Sequence, residues 1–322
     1  MSPAVPRRPF TSSVRPGRVA LRAIAALLCI AGLAGGRTGC AQDIEPRSYS
    51  NAPVGVNFVI AAAGFTRGGL PTDTGLPIAD AHLETSTTLF AYARSLDLWG
   101  DSAKIDVIVP YTWLHGSATY AGAPVERTVN GPGNPLFRLS VNLYGAPALS
   151  ASEFANYRQD LIVGASLQVS APWGQYDDSR IVNIGTNRWF FKPELGVSKA
   201  IGAWTLEGAA AVTLYTDNDD FYGGNLREQD PLYSVQGHAV YSFGRGLWAS
   251  FDATWFGGGR TTVNGALRND LQQNWRIGAT VAFPLDRYNS IKLAASSGVS
   301  ARTGNNFDLL AIGFQHRWGG GI

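Results

Sequence analysis

The stretch LIVGASLQVSA (161–171) decides the fold. Leu161, Val163, Ala165, Leu167 and Val169 make one apolar face, and Ile162, Gly164, Ser166, Gln168 and Ser170 make the other. Side chains switch sides at every residue only in a β-strand, so this alternation reads as strand. The same pattern recurs on both sides. In 136–144, Phe137, Leu139, Val141 and Leu143 oppose Arg138, Ser140 and Asn142. In 204–215, Leu206, Ala210, Val212 and Leu214 oppose Thr205, Glu207 and Thr213, and near the end Leu310, Ile312, Phe314 and Trp318 oppose Gln315 and Arg317.

Twelve such runs follow one another: 57–66, 84–95, 103–114, 136–144, 160–172, 189–200, 204–215, 232–242, 248–256, 273–283, 290–300 and 308–318. Their lengths suit the ~9–11 residues that a tilted strand needs to cross a bilayer. Short connections (96–101, 201–203, 243–246, 285–289) alternate with long, polar, Gly-rich ones (67–80, 115–133, 173–188, 216–231, 257–272). Outer-membrane barrels have this rhythm, with short periplasmic turns and long outer loops. One short-side connection, GAPALSASEFANYRQ (145–159), is longer and reads as a small periplasmic helix. An even strand number puts both ends of the chain on the periplasmic side. The expected fold is therefore all-β, a single antiparallel transmembrane barrel of about twelve strands over 57–318, with a short tail at 319–322. A secreted β-sandwich also alternates, but it requires neither this loop rhythm nor aromatic residues at both strand ends.

The tryptophans supply that second sign. Trp113, Trp173, Trp189, Trp255 and Trp275 fall at the long-loop ends of strands, and Trp204, Trp248 and Trp318 at the short-turn ends. Indole is apolar with one polar N–H, so aromatic girdles belong at membrane interfaces. Trp113, Trp173, Trp189, Trp204, Trp255, Trp275 and Trp318 share the parity of the apolar face, whereas Trp248 breaks it.

Composition agrees. Only 16% of the 322 residues are charged, and 38 are Gly. The formal charge of +2 comes from six arginines in 1–41; without them, 20 basic face 24 acidic residues, which leaves nothing basic to suggest nucleic acid. That segment reads as a cleaved secretory signal: basic to Arg22, apolar over 23–36, then Gly39-Cys40-Ala41. Residues 42–56 would then be a short periplasmic lead-in; Gln42 to about Pro53 is too short for the lumen-filling domain of larger hydrocarbon channels, which leaves any gate to lumen side chains or an inward-folded outer loop. Both cysteines, Cys29 and Cys40, lie in the signal, so the rest carries no disulfide framework.

By parity the polar face carries Glu84, Arg94, Lys104, Asp106, Arg138, Lys192, Glu194, Glu207, His238, Asp252, Arg276, Lys292 and Arg317 as lumen-lining candidates. Such a mixture of signs argues against strong ion selectivity. Either it lines an open pore, or its members pair across strands and fill a narrow lumen, with Lys192, Glu194 and Glu207 as a network on adjacent strands. The acidic TDNDDF (216–221) offers Asp217, Asp219 and Asp220 as a weak metal candidate, lacking the Gly and distal Glu of an EF-hand. Among the four histidines, His238 near Ser234 is the one same-face nucleophile-and-base pair, in no recognisable signature, so no catalytic residue is assigned. Nothing calls for a cofactor.

Several stretches resemble the family named for the MetA pathway of phenol degradation: EPRSYSNAPVGVNF (45–58), LFRLSVNLYGAPAL (136–149), GASLQVSAPWGQYD (164–177), NIGTNRWFFKPELGVSKAIGAWTLE (183–207), TDNDDFYGGNLREQDPLYSVQGH (216–238), GLWASFDATWFGGGRTTVNG (246–265) and SSGVSARTGNNFD (296–308). The resemblance implies an outer-membrane barrel, also called a transporter, with lipid and the barrel-assembly machinery as partners. It implies passive passage of small, aromatic or apolar solutes. The alternatives are a closed barrel with a structural or surface-binding role and, more remotely, an outer-membrane lipid hydrolase. The family brings no catalytic motif to carry over. The last strand departs from the usual barrel ending, since Trp318 is followed by GGGI, which puts its reading as an assembly signal in doubt.

Overall fold

Every run of alternating residues forms a strand, because a backbone that crosses lipid must satisfy its N–H and C=O groups within the protein. The computed structural model describes residues 45–69, 78–303 and 306–322. The signal segment expected at 1–41 lies outside them. Among the described residues no helix is long and apolar enough to cross a membrane.

Six barrel strands precede the midpoint: β1 (Val56–Gly69), β2 (Ile78–Leu98), β3 (Asp101–Tyr120), β5 (Leu136–Tyr144), β6 (Leu161–Ser170) and β7 (Phe190–Ile201). Six follow: β8 (Trp204–Tyr215), β11 (Leu232–Gly244), β12 (Leu247–Gly258), β15 (Gln272–Pro284), β16 (Asn289–Ala301) and β17 (Asn306–Gly319). All pair antiparallel with their neighbours, and β1 pairs with β17 from Val56↔Gly319 to Gly69↔Asn306. The sheet thus closes with no free edge, as lipid demands. The ladder between β7 and β8 skips Lys192 and Pro193, where proline has no N–H to give.

The wall is apolar outside and polar inside. Phe90, Leu195, Val235, Phe251, Leu310 and Ile312 are exposed on the outer face, an area of apolar surface that water would not tolerate. Among the described residues 22 polar or charged side chains are buried against 16 hydrophobic ones, the reverse of a sandwich core. This architecture is that of a bacterial outer-membrane barrel, and the protein belongs in that membrane. Trp113, Trp173, Trp189, Trp204, Trp275 and Trp318 are exposed on the outside, and Trp255 is half-buried.

The short turns are tight. Trp99 and Gly100 both have positive φ, 58° and 91°, the backbone that a two-residue hairpin between β2 and β3 requires. The longer connection carries α1 (Ala151–Phe154), capped by Ser150 and Glu153 in a reciprocal box. The expected helix is there.

The long connections are less loop-like than their sequence suggests. β4 (Ala123–Pro132) folds back on β3, and β2 and β3 run for 21 and 20 residues, so this hairpin stands well clear of the bilayer. Two other outer connections contribute β9 (Asn218–Phe221) with β10 (Asn225–Gln229), and β13 (Thr261–Val263) with β14 (Ala266–Leu267), to a second sheet in the order β14-β13-β10-β9.

Candidate functional site

Opposed residues in antiparallel strands point to one side, so register fixes the inner face. Asp106, Arg138, Gln168 and Lys192 lie in one row across β3, β5, β6 and β7. Ser198, Glu207, His238 and Asp252 form a second across β7, β8, β11 and β12. Lys104, Glu194, Arg276, Lys292 and Arg317 share that face.

Two candidates do not. Ser95 opposes Lys104 and Ala93 opposes Asp106, so the odd-numbered residues of β2 point inward. Arg94 and Glu84 therefore point outward, opposite Asn57 and Arg67. Glu84 pairs with Arg67 at 3.0 Å, where a membrane-facing strand can keep charge near its end. The inner face of this strand carries Thr85, Thr87, Leu89, Ala91, Ala93 and Ser95, which gives alternation little contrast to show.

The inner charges are tied together. Arg138 Nε donates to Asp106 Oδ2 at 3.0 Å, and Lys104 Nζ stands 3.8 Å from Asp106 Oδ1. Lys192 Nζ is 3.7 Å from Glu194 Oε2, which also accepts from Gln236 Nε2 at 3.1 Å. Asp252 is fully buried; it pairs with His238 Nδ1 at 2.7 Å and accepts from Ser250 and Thr280 hydroxyls at 3.1 and 3.3 Å. Arg276 donates to Ser296 Oγ at 2.7 Å and lies 3.5 Å above the Phe307 ring. Arg317, at the periplasmic rim, donates to the Arg287 carbonyl.

The largest departure from expectation is the segment before β1. Residues 45–55 are not an idle periplasmic lead-in but a strap folded into the barrel. Glu45 ion-pairs with Arg138. The Arg47 backbone N–H donates to Glu207 Oε2 at 2.6 Å, and its guanidinium lies 5.5 Å from the Trp248 ring centre. Tyr49 is 6% exposed and donates its hydroxyl to Glu194 Oε1 at 3.0 Å. Its ring lies over Gly164 and Gly196, which face each other across β6 and β7. A Cβ at Gly164 would stand 2.2 Å from Tyr49 Cδ1, and one at Gly196 2.1 Å from Tyr49 Cε2. The two glycines are thus a notch cut for this ring. Farther along, Asn51 Nδ2 donates to Pro147 O, Val54 N to Leu149 O and Gly55 N to Ser95 O, which anchors the strap beside α1. A cavity of about 10 Å³ lies among Glu45, Arg138, Gln168, Lys192, Glu194 and Gln236, room for one water. On the periplasmic side of the strap a cavity of about 490 Å³ opens between Pro53, Phe58, Phe154, Arg287, Arg317 and Ile322.

The odd parity of Trp248 now has its cause. It is an inner residue, 8% exposed, between Arg47 and the ammonium of Lys292 at 5.8 Å. Cations favour such ring faces. The Lys192–Glu194–Glu207 network exists in altered form, since Glu207 is engaged by Ser198 and the strap rather than by Lys192.

The hydrolase pair fails on distance. Four residues along a strand separate Ser234 and His238 by about 13 Å, and His238 is held by Asp252. The acidic run does not gather either: among the described residues no group of three potential metal ligands forms, and Asn218, between the carboxylates, is the buried member.

Residues 65–315 match the model of the family described as "Putative MetA-pathway of phenol degradation". The chain belongs to that family. No curated relative matches it. Among solved structures, the chain is similar to an outer membrane channel from Pseudomonas putida F1, with 19% identity, a TM-score of 0.74, and 86% of this chain and 100% of that one covered. At that identity the likeness concerns the fold. A monoaromatic hydrocarbon channel, CymD, aligns over 87% of this chain and 94% of its own at 8% identity and a TM-score of 0.43. This member of the phenol-degradation family thus has a barrel fold whose bore holds residues 45–49 of its own chain.

Proposed function

We propose that the protein is a gated passive channel for small solutes, aromatic or apolar ones among them, and that residues 45–55 are its gate. The observation that carries this reading is the Tyr49 seat. A barrel that served only as scaffold has no need of a paired-glycine notch, which discards two side chains to receive one movable ring. The strap is also built to let go. Its distal half is held by one ion pair, two hydrogen bonds to carboxylates, the Tyr49 seat and the stacking of Arg47 on Trp248, while its proximal half is tied mainly by backbone bonds. Release of the distal half would join the cavity by Phe58 to the space around Arg138 and Lys192 without moving a strand. The family name supports aromatic cargo, as does the apolar part of that cavity. The His238–Asp252–Ser250 cluster is read as a cross-strand clamp, not as catalytic machinery.

The closed-barrel reading has the paired inner charges in its favour. Liposome uptake separates the two. Proteoliposomes carrying Tyr49→Ala should admit phenol and a small sugar faster than those carrying the unaltered protein. If neither protein admits either solute above the empty-liposome rate, the barrel is closed and this function is wrong.

A further inference from the structure

Three outer connections meet above the lumen and bring arginines with them. Arg188 ends the β6–β7 connection, Arg227 sits in β10, and Arg260 follows β12. Arg188 is 7% exposed, and its guanidinium lies 4.5 Å from the ring centre of Tyr215. Tyr215 has the parity of Glu207, so this stack stands at the outer end of the inner face. Arg188 Nη2 donates to Gln229 Oε1, whose amide in turn donates to Gly259 O at 2.9 Å, next to Arg260.

What these arginines lack is an anion. Arg188 Nη1 and Arg260 Nε are buried with no hydrogen-bond partner, and none of the three arginines has a carboxylate within 4.0 Å among the described residues. The acids nearby are otherwise placed. Asp270 accepts from Thr261 N at 2.9 Å and from its hydroxyl at 2.6 Å, and Asp217 is exposed. Burial, and then the charge of Arg227, bring the Arg188 guanidinium down to about 10, which leaves it a cation at neutral pH. A buried, unpaired guanidinium is strongly unfavourable unless something compensates it. Arg138, in the middle of the bore, has Glu45 and Asp106 for that purpose.

We infer that the outer mouth holds a binding site for a small organic carboxylate, formed by Arg188, Arg227 and Arg260 around Gln229 with Tyr215 as its floor. Guanidinium edges match the planar two-oxygen geometry of a carboxylate, and the Tyr215 and Phe190 rings, 6.4 Å apart, give an aromatic acid an apolar side to lie against. The site rests on the channel reading and names its solute: an acid captured at the mouth is raised in local concentration before it meets the strap.

The test is calorimetric titration of the full-length folded barrel in detergent with benzoate, benzyl alcohol and inorganic phosphate. Benzoate should bind saturably, and benzyl alcohol and phosphate weakly or not at all. Arg188→Gln keeps a donor for Gln229 and removes the charge; it should weaken benzoate about 10- to 100-fold, with a smaller loss in Arg227→Gln. Heat-modifiable migration in gels checks that each variant is folded, and if Arg188→Gln is not, Arg227→Gln decides. Equal benzoate affinity in the variants, or benzyl alcohol bound as tightly as benzoate, overturns the site. Phosphate bound more tightly than benzoate overturns its assignment to carboxylates. Failure to bind benzoate in a protein whose Tyr49→Ala variant still conducts refutes this site alone; arginine-dependent binding in a barrel that never conducts refutes the channel instead.

Discussion

Tyr49 and its notch can be perturbed from either side, and the two perturbations should converge. Tyr49→Ala removes the ring. Emptying a buried aromatic site costs about 3–5 kcal/mol, which at about 1.4 kcal/mol per decade lowers strap occupancy by about two to four powers of ten. Gly196→Ala leaves the ring and fills its seat. The new methyl would lie 2.1 Å from Tyr49 Cε2, far inside van der Waals contact, and on the other side Gly164 offers no retreat because its own Cβ position is only 2.2 Å from the ring. The ring must leave. Each variant alone should turn a mostly closed channel into a mostly open one in planar-bilayer recordings. The double variant should be no more open than Tyr49→Ala, because a methyl in an empty notch has nothing to strike. That non-additivity is what separates a shared contact from two unrelated injuries to the barrel. Open probabilities that simply multiply, or three variants that all gate like the unaltered protein, would refute the argument.

Glu45→Gln removes the ion pair to Arg138 but leaves Tyr49 seated, so open probability should rise less than in Tyr49→Ala, and raised salt should narrow the gap between this variant and the unaltered protein. Trp248→Phe should leave the brominated-lipid quenching of tryptophan fluorescence unchanged, since this indole faces the lumen, whereas Trp275→Phe should reduce it. Arg94→Gln should not alter ion selectivity in the open Tyr49→Ala background, whereas Lys192→Gln should shift the reversal potential toward cations. Asp252→Asn should lower the barrel's unfolding midpoint in urea by an amount corresponding to about 2–4 kcal/mol, because His238, Ser250 and Thr280 all lose a buried charged partner.

The barrel was legible because lipid outside and polar groups inside impose the strongest alternation that a strand can carry, and every one of the twelve runs is a strand. β2 was the exception to parity, because a face of Thr, Leu, Ala and Ser contrasts weakly with its opposite. The short strands β4, β9, β10, β13 and β14 escaped notice since they are short or show no sustained apolar alternation; β4 extends the β2–β3 hairpin, and the other four are held by one another. The strap has no periodicity at all. Its partners lie 93, 145 and 160 residues away, at Arg138, Glu194 and Glu207, a separation that no local pattern reports. One trace of it was visible, the wrong parity of Trp248, which is wrong for a membrane girdle and right for a ring that receives Arg47.

The most direct measurement is a cross-link. The chain's two cysteines, Cys29 and Cys40, both precede the strap, so with both replaced by Ser, Tyr49→Cys and Gly196→Cys make a unique thiol pair. A short reducible bis-thiol bridge applied to the folded barrel should join them in high yield and hold conductance near zero until it is cleaved, after which the channel should open. If the bridged barrel conducts as freely as the cleaved one, the strap does not close the lumen and the account fails.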